Sequence, residues 1–509
     1  MKVGHFFLRL KDFFFPIHRY ELKKFVPLLG IHCFSIFNHY CLKNIKDSLI
    51  VTTAGVEGVS FLKLCMPLFT VLFMIVYTKA SDRLKNEHLY DATLGTFVGF
   101  FAIFVTVLYP FRESLHPSVE TVTAYQVAYP SFFYLFSIWG VWSYAIFFVF
   151  AELWSTFIMT ILFWQFMAQI TTVQEAKRTY GFLLVFGQIA VAVAGWVGAF
   201  FSDIRKANPL CVDTWQFTLN CLIGVVIVTS FFAMYLYHWV YRNVLTDKRF
   251  YDRAELPGVR VKAKGKMRFR DSLRLVLQSH YLVWILVLVA AYGFTDNMLE
   301  NFWKHELRTC FPHPNDYCTF MNHYTAAYGM LSIVFTLFVT AVFRRFSWSV
   351  GALLTPMILL IGGVGLFSCL LCKRYFLSQY GNLFSFSSFI AQFGLCVMVL
   401  DRSSKMSFFD MSKEISFIPL AEELKVKGKA VVDGMGYRFG KAFGSGFQVW
   451  MLTVLSSFTG VQSTYEDIAP YAFTIYLLFA IAWVFAVIRL NRHIRKKEDM
   501  IYVAKSQLK

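Results

Sequence analysis

Long apolar runs alternate with short polar breaks along almost the whole chain. Read as spans of about 20 apolar residues, the length that crosses a bilayer core, the pattern predicts helices near 25–47, 59–79, 89–110, 133–166, 180–202, 215–240, 281–300, 319–342, 348–372, 383–401, 433–457 and 467–488. The longest polar interruption, 241–280, follows the sixth span. It separates an N-terminal six-helix half, 25–240, from a C-terminal six-helix half, 281–490. A basic N-terminal segment, 1–24, and a basic tail, 491–509, flank them.

Composition agrees with that reading. The chain is 57% hydrophobic and 19% aromatic with a mean hydropathy of +0.53, which excludes an ordinary soluble domain. Its net charge of +18 would suit a nucleic-acid partner, but the placement of the 49 Lys and Arg residues argues against one. With both termini cytoplasmic, 37 of them fall on the inner side, 7 on the outer side and 5 within or beside spans. That asymmetry is an orientation signal for an even number of helices. The expected fold is an all-α membrane protein of twelve transmembrane helices in two halves, major-facilitator-like, with a site near the midplane. The stretch "MKVGHFFLRLKDFFFPIHRYELKKF" lacks a small-residue cleavage site and reads as a cytoplasmic amphipathic segment at the membrane surface.

The charges inside spans are the unusual feature, because an ionised side chain at mid-membrane costs about 2.5–3.5 kcal/mol even on insertion scales. Lys43, Lys46 and Asp47 lie on the last turns of the first span. Glu152 sits in the middle of the fourth, too short to reach water. Asp296 and Glu300 lie four apart in the seventh, on one face. Arg438 and Lys441 lie in the eleventh, among Gly434, Gly436, Gly440, Gly444 and Gly446, which permit close helix approach. Lys46 and Glu300 occupy equivalent depths in the two halves, so the pattern predicts opposite charges facing one another across a cavity. Bland readings stand beside this one: Lys46 snorkelling at a helix end, Glu152 in a structural ion pair with Lys46 or Lys441, Glu300 paired with Lys304. Cations meeting carboxylates at one depth suit a polyanion, since lysines attract phosphate as point charges.

Other signals carry less. "CLLC" at Cys369–Cys372 lies inside a span and reads as core rather than metal ligands, and no metal or cofactor is expected. Cys310 and Cys318 are candidates for a disulfide if their side is oxidising. Trp139, Trp142, Trp154, Trp164 and Trp303 fit interface anchors or base-stacking groups equally well. "RFGKAFGSG" lacks the spacing and preceding strand of a phosphate-binding loop, and no HExxH or nucleophile elbow occurs, so an enzyme or an ATP-driven pump is disfavoured.

Ordered motifs then narrow the class. "NIKDSLIVT", "AELWSTFIMTILFWQFMAQIT", "EAKRTYGF", "NMLENFWK", "FPHPNDYCTFM", "FIPLAEELKVKGKAVVDG" and "RFGKAFGSG" occur in sequence order. On these motifs the chain resembles the nucleotide transporter (ATP:ADP antiporter) family of chlamydiae, rickettsiae and plastids from about residue 16 to 490. The resemblance implies a nucleotide transporter of the bacterial inner membrane, with four charged positions tied to transport: Lys46, Glu152, Glu300 and Lys441. Lys43, Asp47, Asp296, Arg438 and Phe443 are secondary candidates. "GKAFGSG" departs from the family's "GKSGGA" by placing Phe443 near Lys441, which leaves substrate preference open.

The expected function is import of host nucleotides, ATP in exchange for ADP or other nucleoside triphosphates, by alternating access. The expected partners are a nucleotide and the lipid bilayer, with protons as a candidate coupling ion, no nucleic acid, and a monomeric state. A proton-coupled symporter of GTP, CTP, UTP or ATP and an NAD carrier are the alternatives. A nucleotide-sensing receptor or channel would bind nucleotide without accumulating it.

Overall fold

A computed structural model describes residues 21–203, 213–247, 274, 276–380, 383–420, 424, 428–429, 431–432 and 436–507. The N-terminal segment up to residue 20 and most of the 241–280 linker lie outside the described residues. The long helices are α1 (Leu22–Thr53), α2 (Gly55–Arg83), α3 (Asn86–Leu108), α4 (Trp142–Ile170), α5 (Val173–Asp203) and α6 (Thr214–Asn243). After the linker come α7 (His280–Cys310), α8 (Pro314–Arg345), α9 (Trp348–Tyr380), α10 (Leu383–Ser404), α11 (Tyr437–Thr459) and α12 (Tyr465–Gln507). Ten of these are long and apolar enough to cross a membrane among the described residues. The other two, α10 and α11, carry Asp401, Arg402, Arg438, Lys441 and Gln448.

Several boundaries differ from the apolar pattern for identifiable reasons. The predicted fourth span, 133–166, is two helices, because Val141 leaves helical geometry (φ −125°, ψ 40°) between Phe133–Gly140 and α4. The predicted seventh span stops at 300, whereas α7 continues to Cys310. Its last turns hold Lys304 and Glu306, whose charges are matched by neighbours and so do not require water. Similarly, α12 runs through the predicted tail as far as Gln507. Wide π-helical turns interrupt α4 at Ser155–Phe163, just after Glu152, and continue α10 at Lys405–Phe409, just after Asp401 and Arg402. Such turns re-aim side chains and recur at functional positions.

Antiparallel succession of the helices puts the start of α1 and the end of α12 on one side of the molecule, here the terminal side. The opposite side is the distal side. Across the seam between halves, α5 packs on α8 at backbone distance: a Cβ on Gly195 would stand 2.3 Å from the Ala326 nitrogen, and one on Gly329 would stand 2.7 Å from that of Ala192. Polar contacts extend this closure distally. Asn44 donates to Asn322 (2.6 Å) and Thr325 (3.0 Å), Thr218 to Asn315 (2.8 Å), and Ser60 to Gln448 (2.9 Å). Tyr134 donates to the Ser463 carbonyl at 2.7 Å. The halves are therefore sealed together on the distal side.

Within the C-terminal half, Gly440 and Gly293 let α11 lie against α7: their Cβ atoms would come within 2.1 Å of the Ala290 carbonyl and 2.4 Å of the Tyr437 carbonyl. Close packing of this kind is the use the glycine-rich stretch foretold. Gly55, at φ +83°, makes the tight distal turn from α1 into α2 that L side chains resist.

Because the obstacle at Gly195 is backbone, Gly195→Ala is expected to destabilise the protein by about 1–3 kcal/mol. Gly224→Ala meets nothing within 4 Å and is expected to leave stability essentially unchanged. Thermal unfolding of both variants in the same detergent checks the contrast.

Candidate functional site

Charges on five helices converge beneath the distal seal. On α1, the Lys46 ammonium lies 2.9 Å from Asp47 Oδ1, 3.2 Å from Glu152 Oε2 of α4, and 3.9 Å over the Phe148 ring. The other Asp47 oxygen accepts from Lys304 of α7 at 2.8 Å. Lys304 in turn contacts Glu300 one turn earlier, at 2.9 Å. Arg402 of α10 reaches Glu300 at 3.1 Å and Asp296 at 3.0 Å. Tyr437 of α11 donates to Asp296 Oδ2 at 3.0 Å. Lys63 of α2 completes the set, donating to Asn297 (2.9 Å) and Asn301 (3.0 Å) and lying 3.9 Å from Glu300.

This ladder is dry. Side chains of Lys46, Asp47, Glu300 and Lys304 are 3% exposed or less, whereas Glu152 at its end is 31% exposed. Burying ions is costly, and only mutual pairing with further hydrogen bonds offsets the loss of hydration. Removing one member leaves its partner charged and unpaired, at a cost of about 3–5 kcal/mol.

A second group of cations has no such partner. Lys43, one turn before the ladder on α1, has its ammonium 5.9 Å from the Tyr40 ring. Lys441 has its ammonium 5.4 Å from the Tyr437 ring. Arg438 is exposed and donates to Thr156 of α4 at 3.0 Å. Among the described residues none of the three has a carboxylate within ion-pair distance, yet Lys441 and Arg438 lie in the electrostatic reach of Glu152, and Lys43 and Lys441 in that of His39. Lys43 and Lys441 are only partly buried. Unpaired cations on α1 and α11 thus stand on the terminal side of a neutralised ladder, an arrangement able to receive several anionic oxygens.

The structure therefore brings together Lys46, Asp47, Glu152, Asp296 and Glu300, with Lys43, Arg438 and Lys441 beside them. It does not pair Lys46 with Glu300 directly; the Asp47–Lys304 contact joins their helices instead. Phe443 is not brought in. Two residues turn a helix by about 200°, so Phe443 points away from Lys441, is 58% exposed and packs on Phe294 and Phe479. Trp154 and Trp303 are neither interface anchors nor stacking platforms: both are fully buried, and their indoles donate to the Ser35 and Ala391 carbonyls. Cys310 and Cys318 are free thiols.

Several members escaped the sequence reading. Arg402 falls outside because the predicted tenth span ends one residue earlier, whereas Lys304, four residues beyond the predicted seventh span, makes the contact with Glu300 that the sequence offered. Lys63 is one of the five cations counted within or beside spans and belongs to no motif. The stretch "TDNMLENFWKHE" held a usable signal, since Asp296, Asn297, Glu300, Asn301 and Lys304 recur at helical spacing as one polar stripe.

Comparison with known proteins identifies the fold and the family. Solved structures share the fold: an inward-facing bacterial homologue of the iron transporter ferroportin (TM-score 0.60, 13% identity, covering 93% of this chain and all of that one) and a D-xylose–proton symporter (TM-score 0.51, 12% identity, 92% and 97% coverage). These place the chain in the major-facilitator type of architecture. Among sequence relatives, ADP,ATP carrier protein 1 of Rickettsia prowazekii is 33% identical over 99% of both chains. ADP,ATP carrier protein 1 of Chlamydia trachomatis is 35% identical, covering 96% of this chain and 91% of its own. The family model described as TLC ATP/ADP transporter matches residues 2–494. With that span matched and full-length relatives at a third identity, this multi-pass membrane protein belongs to the TLC ATP/ADP transporter family.

Proposed function

We propose that this chain imports ATP in exchange for ADP across a bacterial inner membrane, working by alternating access as a monomer with both termini in the cytoplasm. The observation that carries this reading is the trio Lys43, Arg438 and Lys441, unpaired by any described carboxylate and lying beside a ladder whose own charges are matched. A polyphosphate supplies the missing negative charge, and no apolar or cationic substrate does. Relatives named as ADP,ATP carriers, matched over nearly their whole length, support the choice of adenine nucleotides.

In this reading the two groups of charges do different work. Lys43, Arg438 and Lys441 hold phosphate oxygens. Lys46, Asp47, Lys304 and Glu300 hold the distal side shut, and Glu152 joins the two groups, because it contacts Lys46 and faces Lys441. Phosphates that compete for Lys46 draw it from Asp47 and Glu152, so substrate binding disturbs the ladder that carries the seal. In this reading the nucleotide crosses the membrane without chemical change.

Labelled ATP taken up by cells expressing the chain is therefore expected to be recovered chemically unchanged, and internal ADP is expected to accelerate its uptake. Binding without accumulation would turn the reading into a receptor. Substitutions separate the roles. A charge-assisted hydrogen bond contributes about 1.5–3 kcal/mol, so Lys441→Gln should raise KM roughly ten- to hundredfold. Lys46→Gln should act mainly on the maximal rate, by disturbing the seal. Lys79→Gln, on the exposed end of α2, should change neither.

A further inference from the structure

A cleft of about 560 Å³ lies at the distal end of the C-terminal half, between the distal ends of the α9 and α11 spans and the first turns of α12. Its volume falls in the range of about 300–1,000 Å³ that holds a small molecule. The charges of the central site do not line it. Its depth narrows what can fill it. The apolar span of α9 ends at Lys373, α11 ends at Thr459, and the span of α12 begins at Tyr465, so the cleft sits where three helices leave the bilayer core. Leu455 lines its wall, and Leu371, Val461 and Tyr471 stand exposed at its mouth. An exposed tyrosine at the end of a span is placed at headgroup level, and apolar side chains exposed beside it face acyl chains. The molecule available at such a mouth is a phospholipid.

The polar wall decides which headgroup fits. Lys373 is buried, and its ammonium donates to both oxygens of Glu306 (2.9 and 3.1 Å) and to Glu466 (2.6 Å). An ammonium has three donors, so these contacts leave none for a lipid phosphate. Glu466 is 40% exposed, and Asp467 lines the cleft beside it. Two carboxylates thus line the cleft and a third, Glu306, stands behind them, against the single cation of Lys373. Pockets that bind anionic headgroups are basic; this one has the opposite sign.

We propose that this cleft binds one phospholipid with a primary-amine headgroup, phosphatidylethanolamine. Glu466 and Asp467 hold its ammonium, and its glycerol end and first acyl carbons lie on Leu371, Leu455 and Tyr471. A primary ammonium donates charge-assisted hydrogen bonds to carboxylates. The quaternary ammonium of a choline headgroup has no N–H to donate and favours a cage of aromatic rings, where the described lining offers Tyr471 alone. Phosphatidylglycerol, with a phosphate and no cation, meets carboxylates of like sign. Glu306 follows Lys304 by two residues on α7, so the occupied cleft adjoins the distal seal. The proposal concerns lipid binding and stands apart from the transport reading.

The test takes purified full-length protein, stripped of lipid in detergent, and adds phosphatidylethanolamine, phosphatidylcholine or phosphatidylglycerol with identical acyl chains. Native mass spectrometry counts the bound molecules, and thermal unfolding reads their effect. One phosphatidylethanolamine is expected to bind about ten- to hundredfold more tightly than either other lipid, the ratio set by a charge-assisted hydrogen bond, and to raise Tm. Glu466→Gln should abolish the preference, and Leu371→Trp, which fills the mouth without touching the charges, should lower occupancy. Glu414→Gln, in an exposed ion pair on the terminal side, should keep both. Equal binding of the three lipids, or a preference for phosphatidylglycerol, would overturn the proposal. A preference for phosphatidylethanolamine that survives both Glu466→Gln and Leu371→Trp would overturn its location. Stabilisation by Zn²⁺ and not by lipid would assign His305, Glu306 and Glu466, whose donor atoms lie within 4.8 Å of one another, to a metal instead. A dimer carrying no lipid would assign the cleft to a second copy of the chain, and either result overturns the proposal. The unsubstituted protein alone discriminates among the three lipids, so a folding defect in a variant does not block the decision.

Discussion

The Asp47 carboxylate holds two ammonium groups at once, Lys46 on its own helix and Lys304 on α7. Much of the rest of the site follows from that bond across the seam. It lies where water is scarce, so neither half can withdraw without stripping a buried ion of its partner. Glu300 and Arg402 extend the pairing into the C-terminal half, and Glu152 extends it to α4. Dry charges matched in this way form a latch rather than a general adhesive: strong while intact, and open to competition from any anion that reaches Lys46. Helix packing does the remaining work, since Gly195 and Gly329 let α5 and α8 meet at backbone distance beside the latch.

The division between matched and unmatched charge gives the site its polarity. Ion pairs occupy the distal part and unpaired cations the terminal part, so the site as folded here is prepared for an anion from the terminal side. The wide turns after Glu152 and after Arg402 fall where α4 and α10 must present charged groups inward from otherwise apolar helices. In the proposed reading, competition between substrate phosphates and the Asp47 carboxylate for the same small stock of cations drives alternating access.

Much of this was legible in the sequence. Membrane spans are long, and only one solvent faces most of them, so each apolar run marks one long helix, although the fourth also took in the separate helix Phe133–Gly140. Intramembrane Lys46, Glu152 and Glu300 stood out because charge in such runs is expensive. What was not legible had a common cause: a buried ion pair lowers apparent hydropathy without bringing in water. Windows therefore ended α7 before Lys304 and α10 before Arg402, leaving Lys304 only as a neighbour of Glu300 and Arg402 out of the ladder. Phe443 failed for a different reason, since proximity in sequence to Lys441 says nothing of facing, and two residues along a helix point nearly opposite ways. Partner identity was legible in part: the pairs Glu152–Lys46 and Glu300–Lys304 offered by the sequence are both present, whereas no spacing pointed to Asp47 as the bridge between Lys46 and Lys304.

The most direct test of the latch is a distance between spin labels at Val127 and Val461, exposed positions near the distal contact of Ser131 with Ser457. Comparison of the labelled protein with the same protein carrying Lys304→Gln isolates the bond to Asp47. A single short distance that gains a longer, open population in the variant is the result expected of a seal held by buried charge. An unchanged short distance would mean that packing of α5 on α8 closes the distal side alone, and that the ladder does not hold it.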